Sequence, residues 1–121
     1  MAFNLYQKPY SEFKLNTPVY SKPLEEGILG EAQMNGTILV SDKMENIDQI
    51  NNTIEHEEIH VEQMQTPFKL KNGSITKLLS YDNDNVYWKG KTYPRDEMSE
   101  GDHDLPWEAD AYNKQKQLKK T

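Results

Sequence analysis

The sequence predicts an α+β domain, and three observations carry that prediction. The segment NIDQINNTIEHEEIHVEQMQTP has apolar residues at helical spacing and is bounded by a capping residue and a proline. Short β-branched and aromatic runs alternate with Asn-, Asp- and Gly-containing turns on either side of it. A last segment, LPWEADAYNKQKQLKK, opens on proline and closes on lysines, as a second helix would. With 121 residues, 35% hydrophobic and 28% charged, the chain suits one small domain spanning 1–121.

Taken in order, Pro9, Pro18 and Pro23 predict an extended N-terminal arm over 1–26. From Gly27 the chain reads GILGEAQMNGTILVSDKM, where the Asn35-Gly36 turn signal and the Thr37–Val40 run predict a hairpin of two short strands. Asn46, with Gln49 three residues on, starts a helix that Pro67 stops, giving Ile47 to Gln65. Its core stripe is Ile47, Ile50, Ile54, Val61 and Met64, and Glu55, Glu58 and Glu62 form an acidic sector.

Residues 71–98 predict an antiparallel meander: ITKLLSY, the turn DNDN, then VYWKGKTYP with a bend at Lys89-Gly90. The Asp82–Asn85 turn lacks the glycine and distal glutamate of a calcium loop, so turn chemistry accounts for it. Pro106 opens the last helix, 106–118, with Glu108 and Asp110 near its positive end. Trp88, Trp107 and the tyrosines are expected in the core or at its margins.

Formal net charge is −6, from 20 acids against 14 bases, which argues against nucleic acid or an anionic membrane as partner. The one basic run, Lys114 to Lys120, suits a helix C-terminus. No apolar stretch approaches a membrane span and no leader is visible, so a soluble, cytoplasmic protein is expected. With no cysteine, a metal site must be built from His, Asp and Glu.

Two of the three histidines, His56 and His60, stand four apart in the long helix, so their rings project to one side and both can reach one ion. Glu57 projects about 100° away, poorly placed as a ligand but well placed as a general base. The wheel sets the histidines opposite the apolar stripe, toward a cleft. The third histidine, His103, sits between Asp102 and Asp104.

HEEIH behind GTILV resembles the active-site helix of the zincin metallopeptidases, and WEADAY resembles the glutamate helix of their gluzincin branch. The likeness covers roughly residues 36–66 and 104–116. It implies a small zincin-like domain holding Zn²⁺ with His56, His60 and Glu108 as ligands, Glu57 as general base, and a peptide or protein substrate. A substrate peptide would pair antiparallel along an exposed edge of Thr37–Val40. Two positions depart from the gluzincin pattern: Trp107 stands where an Asn often precedes the ligand glutamate, and Tyr112 where an Asp often follows it. His103 is an alternative third ligand. With Glu108 in that role, His103 and Tyr112 become candidate oxyanion donors, beside Tyr93 and Arg95. A reading of another class is a non-catalytic protein-interaction module on the same scaffold, with or without a structural metal.

Overall fold

A computed structural model describes residues 17–99 and 101–119 of the chain. It is a mixed α+β structure of two helices and eight short strands among those residues. The chain divides into two compact units, Met1–Val61 and Glu62–Thr121, and the division falls inside the long helix.

The first unit holds a three-stranded sheet in the order β1-β3-β2, from β1 (Val19–Lys22), β2 (Gly30–Ala32) and β3 (Ile38–Ser41). β3 is its centre because Ile38 and Val40 alternate toward the core, where Val19 of β1 joins them almost wholly buried. β2 and β3 form the expected hairpin. The expected arm over 1–26 falls partly outside the described residues; the portion after Pro18 is β1, paired parallel to β3 from Val19↔Ile38 to Lys22↔Ser41. Local patterning did not foretell it, since parallel pairing joins segments distant in sequence.

The β2–β3 loop is a type I turn closed by a left-handed glycine. Gly36, at φ 91°, donates to the Gln33 carbonyl, Gln33 donates to the Thr37 carbonyl, and Asn35 Oδ1 accepts from the Thr37 amide. The second unit repeats the device at Leu70–Ser74, with Gly73 at φ 90° and Asn72 Oδ1 accepting from the Ser74 amide. Asn-Gly-Thr and Asn-Gly-Ser thus make the same turn twice, because glycine alone takes the left-handed position without steric cost.

α1 (Ile47–Gln65) has the predicted bounds. Asn46 Oδ1 accepts from the amides of Asp48 and Gln49, satisfying two N–H groups that no helical carbonyl can reach. At the other end the Thr66 hydroxyl donates to the Glu62 carbonyl, and Pro67 begins the next strand. Ile50, Ile54, Val61 and Met64 are buried as the stripe requires, but Ile47, in the first turn, is exposed. Within the acidic sector Glu58 is buried, whereas Glu62 is exposed and Glu55 half-buried. From Thr53 to Met64 the helix buries side chains around most of its circumference, so a single polar face does not exist there.

In the second unit β4 (Pro67–Lys69) pairs with β5 (Ile75–Lys77), and a separate sheet runs β6-β7-β8 from Leu79–Tyr81, Asn85–Trp88 and Lys91–Pro94. The meander is present, but ITKLLSY is two strands in two sheets rather than one. The break is at Leu78, whose amide donates to the Thr66 carbonyl. Lys89 and Gly90 both have positive φ, 52° and 82°, which makes the two-residue hairpin turn joining β7 to β8. A 3₁₀ turn, Arg95–Glu97, follows β8, and α2 (Pro106–Lys119) ends the described chain. Trp88, Trp107 and Ala111 are core residues of this unit. No helix of the described residues is long and apolar enough to cross a membrane.

Candidate metal centre

The centre is built from the middle of α1. His56 and His60, one turn apart, turn their Nε2 atoms toward each other at 3.1 Å with ring planes 86° apart. They are 9% and 6% exposed, so the expected cleft-facing rings are largely enclosed. Nor do they oppose the apolar stripe: His60 stands four residues before Met64, which makes the two faces adjoin.

Pro106 occupies the first turn of α2, and the Ala109 amide closes the first helical bond on the Leu105 carbonyl. Glu108 therefore lies in the first turn, where unpaired amides and the helix dipole favour a carboxylate. An exposed acid would need no further explanation, but Glu108 is only 8% exposed, and carboxylates are rarely buried without a charged or hydrogen-bonded partner.

One ligand-capable atom from each of His56, His60 and Glu108 lies within 4.8 Å of the others, a group able to hold a metal ion. The donor chemistry fits. Two imidazoles and a carboxylate are the ligand types that borderline divalent ions accept. Two nitrogens on one tetrahedral ion, each at about 2.0–2.1 Å, would stand roughly 3.3 Å apart, close to the separation of the two Nε2 atoms.

Glu57 is half-buried beside β2. A Cβ placed on Gly30 would stand 3.0 Å from Glu57 Cγ and 2.7 Å from Thr53 Cγ2, so the absent side chain of Gly30 is what admits both. The strand next to Glu57 is thus β2. The expected substrate edge at Thr37–Val40 is a correction: β3 carries a paired strand on each side, β1 and β2, and offers no edge.

The remaining candidates lie elsewhere in the second unit. The exposed ring of His103 stacks on Tyr112 at 3.7 Å between centroids and 13° between planes, and it is not part of the three-residue group. Tyr112 is one turn after Glu108, and its hydroxyl reaches the Gly101 carbonyl only at 3.5 Å. Tyr93 packs edge-on against Trp107, and Arg95 donates from Nη1 to the Asp82 carbonyl, which ties its guanidinium to the β6–β7 turn.

The sequence does not foretell the contact between Gln63 and Asp110. Gln63 is fully buried, and its Nε2 donates to the Trp107 carbonyl at 3.1 Å and to Asp110 Oδ2 at 2.8 Å. Helical spacing carried a signal for Gln63, because residues 56, 60 and 63 share one side of a helix. Dipole chemistry marks Asp110 only as an acid near the start of α2, and its partner is 47 residues away in sequence. Compared with protein-family models, with curated proteins and with solved structures, the chain has no match.

Proposed function

We propose that the chain is a zinc-dependent metallopeptidase of zincin-like type. The observation that carries this reading is that His56, His60 and Glu108, all poorly exposed, each bring one ligand-capable atom within 4.8 Å of the others. His56, His60 and Glu108 would hold the zinc, which when bound would polarise a scissile carbonyl and lower the pKa of water toward roughly 7. Glu57 accepts the proton of the attacking water and delivers it to the departing amine nitrogen as the C–N bond breaks. A substrate in extended form pairs with the outer edge of β2, the strand that lies beside Glu57. Tyr112, one turn from Glu108, and His103, stacked on its ring, are the candidate hydrogen-bond donors to the developing oxyanion.

Metal analysis of the purified chain, joined to a Glu57→Gln variant on a peptide library, tests this. The expected result is about one zinc per chain in both proteins and cleavage by the wild type alone. Stoichiometric zinc with no cleavage of any peptide would replace the enzyme with a metal-bearing interaction module, and no bound zinc would end both readings.

A further inference from the structure

The strongest unexplained polar residue is Gln63. A fully buried amide is tolerated only where its hydrogen bonds are made, and replacing it by an apolar side chain of similar volume would remove that requirement altogether. Both recorded donations of its Nε2 go to α2: one to the backbone of Trp107, the residue before Glu108, and one to Asp110, two residues after it. Glu108 is therefore bracketed by the two acceptors. Gln63 itself follows His60 by three residues in the same rigid helix.

We propose that Gln63 is a positioning residue for the metal group: it fixes the first turn of α2 in register with α1 and so holds the Glu108 carboxylate at the distance the two imidazoles require. The inference rests on the metal reading above. Two contacts on one amide fix both the height and the rotation of α2. Apolar packing of Trp107 and Ala111 also resists rotation of α2, but it is less directional than two hydrogen bonds at defined positions. A rotation by one residue would carry Glu108 about 100° away from the histidines. Asp110 Oδ2 accepts from Gln63 and also faces Lys114 Nζ at 3.3 Å in an exposed i,i+4 pair, so the contact with the amide is charge-assisted.

The sequence departs from the gluzincin pattern at Tyr112, where an aspartate would help to orient a ligand histidine. The Gln63–Asp110 pair supplies an orienting contact from a different place, and it acts on the carboxylate ligand rather than on a histidine.

The test is zinc affinity, measured by chelator competition on full-length protein at a temperature where circular dichroism shows each variant folded. Gln63→Leu removes both donations and keeps the volume; zinc binding should weaken roughly 10- to 100-fold, the range for contacts that orient a ligand. Gln63→Glu should weaken it further, because a carboxylate would face the Asp110 carboxylate. Adding Asp110→Asn to Gln63→Glu restores a donor between the two side chains and should recover part of the affinity. Should the Gln63 variants fail to fold, Asp110→Ala removes one acceptor at a partly exposed position, and its zinc affinity should fall several-fold. Wild-type affinity in Gln63→Leu, or in Asp110→Ala if that variant alone folds, overturns the inference and leaves the metal reading intact. A wild-type chain that binds no zinc overturns both.

Discussion

Two polar clusters in this chain use similar side chains in contrasting surroundings. Around the β6–β7 turn, exposed Asp82 accepts from the amides of Asp84 and Asn85 through Oδ1 and from the Tyr87 hydroxyl through Oδ2, while Arg95 donates to its carbonyl. Every partner is within 13 residues and every bond completes a turn or a hairpin, so local chain geometry explains the whole cluster. In α1, His56, His60 and Gln63 are buried on one side of the helix, and turn chemistry explains none of them. Buried polar groups are the expensive kind, and a fold keeps them where specific partners meet. Of the two clusters, only the helix includes members of a group able to take an ion.

The largest difference should appear on adding zinc. Zinc at about a hundred times its Kd should stabilise the wild type by ~2.7 kcal/mol, through binding to the folded state alone. His60→Ala should lose this increment, because one ligand of three is gone, and Asp82→Asn should keep all of it. Thermal unfolding with and without zinc measures both. An increment lost in Asp82→Asn and kept in His60→Ala would invert the assignment of the two clusters.

A smaller effect is expected at Gly30, where the helix cluster meets β2. Gly30→Ala places a methyl group 2.7 Å from Thr53 Cγ2 and 3.0 Å from Glu57 Cγ. Thr53 is short, β-branched and buried, so it yields little. Destabilisation of about 1–3 kcal/mol is expected, the usual range for overpacking. Peptide cleavage should fall more than zinc affinity does, since the strained neighbour is Glu57 and not a ligand. Denaturant unfolding, zinc competition and kcat measured together separate these, and equal losses in cleavage and affinity would argue that the methyl group disturbs the ligands themselves.

The sequence was most legible where one segment decides its own structure. Asn46, Pro67 and the isoleucine spacing located α1 to the residue, and Asn35-Gly36 located the β2–β3 turn, because caps and turns are local devices. Non-local pairing was not legible. β1 lay hidden between Pro18 and Pro23, and ITKLLSY gave no sign that Leu78 breaks it into strands of two sheets. At the site, the i,i+4 rule put His56 and His60 on one side of α1, where their Nε2 atoms meet. Glu108 is marked only through the resemblance of WEADAY to a gluzincin glutamate helix, because the helix dipole accounts for a first-turn acid with no metal at all. The wheel failed on the cleft: it sorts residues by polarity, and α1 buries polar side chains, the two histidines among them, beside its apolar stripe.

The smallest effect concerns the turn cluster and pH. The Tyr87 hydroxyl bond, with the amides of Asn85 and Asp84 and the nearby Arg95 charge, lowers the Asp82 pKa below its usual 3.8. The same bond to Asp82 raises Tyr87 above its usual 10.0. A depressed acid contributes stability above its unfolded pKa and loses it as pH falls through the folded one, so this contribution fades below about pH 4. A raised phenol contributes below its unfolded pKa and loses it as pH climbs through the folded value, so the same bond also fades above about pH 10. Tyr87→Phe removes the bond at every pH. The stability difference between wild type and variant, from urea unfolding, should therefore be small and flat between about pH 5 and 9 and should shrink toward both extremes. Zinc affinity should not change, because the turn shares no ligand with the helix cluster. A difference that persisted undiminished at acid pH would mean that Asp82 does not need its charge to hold Tyr87, and that a neutral hydrogen bond sustains the exposed cluster.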